Sequence, residues 1–301
     1  MTAVARTPPA IVRANGIDLC HDTFGEAQDP PLLLIMGLAS QMIAWDDDFC
    51  SQLASRGYRV IRFDNRDVGL STKIDSAGLP DVPAALMAAL QGRPIAAPYR
   101  LSDMAADAIG LMDALSIGTA HVVGASMGGA IAQTMAIEHP HRLRTLTSIM
   151  ATTGAPDLPP PTPEALAMLL KPPPATLAAY FEGYVQTWRV LRGPGFPLDE
   201  ARDLERAGQN HARGLHPAGA ARQLVAVLAS GSRREALRGV GVPTLVIHGQ
   251  ADPLVPVACG IDTARAVPGA ELLLIERMGH ALPIPTWPRI IEAIARHAGD
   301  A

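Results

Sequence analysis

Short, nearly unbroken apolar runs recur along the chain at strand length. Residues 32–35, 60–63, 120–124, 146–150, 244–248 and 272–275 are dominated by Leu, Ile, Val and Ala, the pattern of strands buried on both faces. Two earlier runs, 11–13 and 17–24, flank Asn15-Gly16. Both residues of that pair tolerate positive φ, so the spacing predicts an antiparallel hairpin. Between the runs the pattern turns helical. Residues 45–55 open on Asp46, Asp47 and Asp48, carboxylates suited to a helix N-terminus. Ser102 is placed to cap a helix running to Leu115, residues 129–139 form another helix, and 285–297 read as a final amphipathic one. Strands alternating with helices predict an α/β fold: a mostly parallel, doubly wound sheet with an antiparallel hairpin at its start.

One interval breaks the alternation. No strand pattern appears between 151 and 238, where Pro156, Pro159, Pro160, Pro161, Pro163, Pro172, Pro173 and Pro174 crowd a span that excludes regular helix and central strand. Helical patterns follow at 177–192 and 217–229. The expected organisation is a core domain of 1–150 and 239–301, with 151–238 inserted as a helical lid over the carboxyl edge of the sheet. A disordered linker is the alternative, but Phe181, Tyr184, Trp188 and Phe196 are too apolar for one.

Composition adds limits. The 301 residues leave the domain count open, but 48% hydrophobic and 18% charged residues with a formal net charge of -4 describe an ordinary globular chain. Basic residues are scattered, so no nucleic-acid face is expected. Cys20, Cys50 and Cys259 are odd in number and lack C-x-x-C spacing, which argues against a disulfide framework or a thiolate metal site. The first residues lack a signal-peptide core, and no run approaches the roughly 20 apolar residues of a membrane span. A cytoplasmic protein is expected; the sequence leaves a homodimer open.

Chemistry enters at Gly124-Ala125-Ser126-Met127-Gly128. G-x-S-x-G is weak alone, but here it follows a strand pattern and starts a helix, which puts Ser126 at a strained corner flanked by the small residues such a turn requires. Close packing alone would explain the glycines, but not the serine. A hydroxyl needs a base, and the base needs an acid to hold its tautomer. Asp252 lies just past the run 244–248 and His280 just past 272–275. Each has an ordinary alternative: Asp252 as a helix cap near Val257, His280 as a solvated loop residue. The order serine, acid, histidine at three strand ends favours a triad. An oxyanion would then be held by the backbone N–H groups of Met127 and Leu38, the latter in the glycine-kinked loop Met36-Gly37-Leu38-Ala39-Ser40.

"LLLIMGLAS", "VIRFDNRDVGLS", "HVVGASMGG", "PTLVIHGQADPLVP" and "ERMGHALP" resemble the oxyanion strip, post-strand turn, nucleophile elbow, acid loop and histidine loop of the α/β-hydrolase superfamily, nearly end to end. Met36-Gly37, Asp64-Asn65-Arg66-Asp67 and the Met-Gly-His-Ala-Leu-Pro ending are most similar to bacterial esterases like aclacinomycin methylesterase. Two departures stand out. Met36-Gly37 replaces the usual His-Gly and gives a softer, apolar wall; Asp67 stands where glycine is usual, and the sequence offers no physical account of it. Dehalogenases and epoxide hydrolases of this fold carry aspartate at the elbow, so Ser126 argues against both.

The resulting expectation is hydrolysis of a medium-sized, largely apolar carboxylic ester through an acyl-enzyme, with Ser126 as nucleophile, His280 as base and Asp252 as its orienting acid. Lactone opening is the same chemistry on a cyclic ester, and a catalytically silent ligand-binding protein is a third reading. Candidate lining residues are Met36, Leu38, Ile43, Met127, Phe181, Tyr184, Trp188 and Leu282. No cofactor is implied, since the serine mechanism supplies its own nucleophile. No metal site is expected: there is no H-E-x-x-H, His139 and His141 flank Pro140, and His211 and His216 lack accompanying carboxylates. His121 and His248 read as packing or backbone partners at strand ends.

Overall fold

A computed structural model describes residues 4–299. Within them, β1 (Ala10–Ala14), β2 (Ile17–Phe24), β3 (Pro31–Ile35), β4 (Arg59–Phe63), β5 (Ala120–Ala125), β6 (Leu143–Ile149), β7 (Thr244–Gly249) and β8 (Glu271–Ile275) form one sheet in the order β1-β2-β4-β3-β5-β6-β7-β8. β1 and β2 pair antiparallel around Asn15-Gly16, whose φ angles of 46° and 77° make the tight turn, and β2 runs antiparallel to β4. The remaining pairs are parallel.

The continuous apolar runs are continuous because both sheet faces are covered. Leu33 and Ile35 enter the cluster beneath α3 (Leu101–Ala114) and α4 (Met127–Glu138), which follow α1 (Asp47–Ala54) and α2 (Val82–Leu90) in the chain. Leu32 and Leu34 enter the opposite cluster with Phe49 of α1 and Ile290, Ile291 and Ile294 of the last helix. The chain leaves β3 toward β4 on one side and returns as β5 on the other. That reversal opens a crevice beyond the carboxyl ends of β3 and β5, where ligands of open α/β sheets bind.

Between β6 and β7 lie α5 (Pro163–Leu169), α6 (Leu177–Leu191), α7 (Glu200–Ala212), α8 (Pro217–Ser230) and α9 (Arg234–Leu237); α10 (Val257–Ala266) and α11 (Trp287–Gly299) follow. Four details differ from the sequence reading. Ser102 sits inside the first turn of α3 and caps nothing. The Leu101 N–H is instead taken by Ser230 Oγ at 2.9 Å and the Arg100 N–H by Asp103 at 2.7 Å. α5 fits between the two proline clusters because Pro163 occupies its first turn, where no N–H is needed, and Thr162 accepts the Ala165 N–H. The sequence reading holds no helix at α2 or α7: α2 is apolar nearly all round and offers no stripe, whereas α7 is amphipathic but its buried face carries Asp203 and Asn210 beside Ala207. α4 begins at Met127, not 129. Among the described residues no helix is long and apolar enough to cross a membrane.

Candidate active site

Ser126 stands between β5 and α4 with φ 56° and ψ −122°, a conformation costly for any residue with a Cβ. Its neighbours are small because nothing else fits. A Cβ on Gly124 would stand 2.1 Å from the Gly128 carbonyl oxygen, and one on Gly128 would stand 2.0 Å from that of Ile35. The Ser126 N–H is tied to the Ile149 carbonyl at 2.9 Å. The side chain is left half-buried at the crevice.

The loops after β7 and β8 run against each other. Ala251 N–H bonds the Met278 carbonyl at 2.9 Å, Gln250 N–H bonds that of Ile275 at 3.0 Å, and a Cβ on Gly249 would collide with Met278. This brings His280 Nδ1 to 2.7 Å from Asp252 Oδ2 and Nε2 to 2.9 Å from Ser126 Oγ. The other carboxylate oxygen of Asp252 accepts the N–H groups of Leu254 and Val255 at 2.9 and 2.8 Å, which fixes its plane. Asp252 and His280 are both buried. Three residues read from separate strand ends thus form one hydrogen-bonded chain.

The loop after β3 closes the other side. Gly37 approaches Ser126 so closely that a Cβ would stand 3.0 Å from the serine Cβ. Leu38 follows it directly, and Met127 heads α4, whose first N–H groups have no partner within the helix. Both residues therefore border Ser126. The loop is shaped by groups the sequence did not single out: Asn65 donates to the Met36 carbonyl at 2.9 Å, Asp64 accepts the Met42 N–H at 2.7 Å, and Gln223 of α8 accepts the Ala39 N–H at 2.8 Å while donating to the Arg66 carbonyl. Asn65 and Asp64 lie in a quoted turn and were within reach of motif reading. Gln223 carried no signal, since it meets the loop only in three dimensions.

Asp67 now has its account. Its φ of 69° suits glycine, yet its buried carboxylate accepts Arg222 Nε and Nη2 at 2.9 and 2.7 Å, the Tyr99 hydroxyl at 2.7 Å and the Ile74 N–H at 2.8 Å. The residue anchors α8 to the core beside the crevice. His248 takes the backbone role expected of it: Nε2 meets the Val255 carbonyl at 2.8 Å, and it stands 3.6 Å from Asp252 Oδ2. Burial pushes its imidazole below the ordinary value. His121 keeps its packing role, on Thr145 Oγ1 and edge-on to Tyr58.

The candidate lining residues divide. Met36 belongs to the cluster that holds Met278 and Trp287, and Leu282 packs against it. Ile43 sits half-buried in the turn Met42–Ala44. Phe181, Tyr184 and Trp188 line α6, with ring centroids of the last two 6.1 Å apart. Tyr184 meets Asn210 of α7 with its hydroxyl, so this wall is not wholly apolar. Among the described residues no three His, Cys, Asp or Glu side chains are grouped to hold a metal ion.

Residues 30–285 match the family model described as alpha/beta hydrolase fold. Over 98% of its length the chain is 32% identical to the rhodomycin D methylesterase of Streptomyces peucetius, of which it covers 99%. It is 28% identical, over 87% of its length, to 86% of the 3-oxoadipate enol-lactonase 2 of Acinetobacter baylyi. Its backbone resembles that of a meta-cleavage product hydrolase from Pseudomonas fluorescens with a TM-score of 0.75 at 21% identity, covering 97% of both chains.

Proposed function

The chain belongs to the α/β-hydrolase fold family, and from that premise we propose that it hydrolyses medium-sized, largely apolar carboxylic esters through an acyl-serine intermediate. The observation that supports this is the chain Ser126 Oγ, His280, Asp252, with 2.9 and 2.7 Å separations. In the proposed cycle His280 Nε2 takes the Ser126 proton as Oγ attacks the ester carbonyl. Asp252 holds Nδ1–H and so selects the tautomer whose Nε2 lone pair faces the serine. The N–H groups of Leu38 and Met127 receive the oxyanion. His280 then returns the proton to the departing alcohol, and water, activated by the same imidazole, releases the acid. Residues 151–238 act as a lid over this crevice.

The named methylesterase relative favours a methyl ester of a larger apolar acid, so that methanol leaves and the acyl group fills the wall of Met36, Trp188 and Leu282. The enol-lactonase relative supports a second reading, opening of a lactone by the same residues. One panel tests both: methyl esters, aryl esters and lactones of graded acyl length with wild type and Ser126→Ala. Turnover that rises with apolar acyl length and disappears in Ser126→Ala is expected. Wild-type rates in Ser126→Ala would end the serine mechanism, and faster lactone turnover would transfer the assignment to the second reading.

A further inference from the structure

The loop that carries His280 is held by the insertion. The His280 N–H donates to the Leu191 carbonyl at 2.6 Å, and the Gly279 N–H to that of Arg192 at 3.0 Å. These carbonyls belong to the end of α6, where a helix leaves its acceptors unpaired. Two glycines permit the approach: a Cβ on Gly193 would stand 2.7 Å from the Gly279 nitrogen, and one on Gly279 would stand 2.2 Å from the Leu191 oxygen. Arg277 adds a bond to the Pro194 carbonyl at 3.2 Å.

What fixes the end of α6 is an ion pair to α7. Arg192 Nη2 lies 2.6 Å from Asp203 Oδ1, and the two side chains are 11% and 9% exposed. Arg192 Nη1 and Asp203 Oδ2 are buried without a protein partner, so one bond compensates two buried charges. Such a pair is strongly destabilised when either member is removed. α7 is fastened in turn to the core, with Arg202 and Arg206 at 2.5 and 2.6 Å from Asp46. A continuous series of contacts therefore runs from Asp46 through α7, Asp203, Arg192 and Leu191 to His280.

Resting on the serine-hydrolase reading above, we propose that Arg192 and Asp203 are positioning residues for His280: through the end of α6 they set where the imidazole stands between Ser126 and Asp252. The lid then aligns the general base as well as lining the substrate. The distinction from ordinary lid packing is measurable. A lid that only contacts substrate affects large esters; a lid that places His280 affects every ester, however small.

The test uses Asp203→Asn and Gly193→Ala in the full-length protein with p-nitrophenyl acetate, whose acyl group has two carbons. Both variants are expected to lose about 10- to 100-fold in kcat, the range for a small misplacement of a reacting group, with KM changed less than about twofold on the same reasoning. Asp203→Glu should recover most of the loss. The proton of the His280 Nδ1–H to Asp252 bond, read by NMR without substrate, should shift or broaden in both variants. Variants that fold as wild type by circular dichroism, keep its kcat and leave that resonance unmoved would overturn the proposal. Should Gly193→Ala fail to fold, Asp203→Asn carries the test. If the wild type shows no Ser126-dependent turnover, the hydrolase reading fails, and the resonance decides the positioning role separately.

Discussion

Asp67→Asn isolates the charge of one buried ion pair. Asparagine nearly matches the shape of aspartate and shares its tolerance of the left-handed backbone, so the φ of 69° is not the variable. The charge is. Asp67 Oδ1 accepts Arg222 Nη2 and the Ile74 N–H, while Oδ2 accepts Arg222 Nε and Tyr99. Whichever way the new amide turns, its NH2 group faces donors. Arg222, 1% exposed at its side chain, keeps only the Gly78 carbonyl, His216 and Asp75, whose side chain is 67% exposed and therefore a weak partner. A unit charge pair at about 4 Å and an effective dielectric of 20 is worth about 4 kcal/mol. Breaking one member of a buried pair costs about 3–5 kcal/mol by measurement on other proteins. The expected loss is in that range, which at about 2–4 °C per kcal/mol lowers Tm by roughly 6 to 20 °C.

Urea unfolding followed by circular dichroism measures this directly, and the double variant Asp67→Asn/Arg222→Met should recover part of it by removing the stranded cation. The pH dependence gives a second check. Burial would raise the Asp67 carboxyl, but the bonds from Arg222, the Ile74 N–H and Tyr99 outweigh it and hold the group below its ordinary value. A depressed carboxyl contributes in full above its unfolded value and loses that contribution as pH falls through the folded one. Wild type and variant should thus stay apart above about pH 4, the unfolded carboxyl range, and converge in stronger acid. A loss under about 1 kcal/mol at neutral pH would refute the reasoning, because the pair would then count no more than an exposed one.

Three further outcomes are expected. Gly128→Ala must displace either its own backbone or the Ile35 carbonyl and should cut ester turnover by about 100-fold or more; Gly241→Ala, with open space at its Cβ, should match wild type in the same assay. Gln223→Leu, which removes the acceptor for the Ala39 N–H, should lower kcat by about 10-fold with little change in KM, since it loosens the loop proposed to hold the oxyanion and not a substrate wall; unchanged kcat would exclude that role. Burial holds His121 down to about 4, so its folded value is depressed, its neutral form is favoured, and stability is full above pH 6.5 and declines toward pH 4. His121→Gln should flatten the stability curve across that window by at most about 3 kcal/mol, as read by urea midpoints.

Much of the fold was legible because its strands are buried on both faces: every predicted run became a strand, with no end moved by more than three residues. The hairpin was legible from Asn15-Gly16 for a local reason, positive φ at both positions. The near full-length methylesterase relative agrees with the closer resemblance drawn from Met36-Gly37 and the Met-Gly-His-Ala-Leu-Pro ending. Val82–Leu90 escaped the pattern because it is uniformly apolar, and Glu200–Ala212 because its buried face is largely polar. Ser102 failed for a different reason: the residue that takes the Leu101 N–H is Ser230, which is 129 positions away. No local rule could supply it.

The same division applies to the site. Ser126, Asp252 and His280 could be named because each follows a strand, and the sheet itself delivers strand ends to one edge. Gln223, Arg192 and Asp203 could not, because their partners are backbone atoms or charges on elements that no pattern relates. Yet these residues bear on the loops that flank Ser126: Gln223 on the loop after β3, and the end of α6 on the loop that carries His280. The strained serine and its glycine-bound neighbours are rigid by necessity, whereas the two flanking loops are held from outside: one by Asp64, Asn65 and α8, the other by the loop after β7 and the end of α6. On this argument, exchanging the insertion for one from another hydrolase would change reactivity toward the smallest esters as well as preference among the largest.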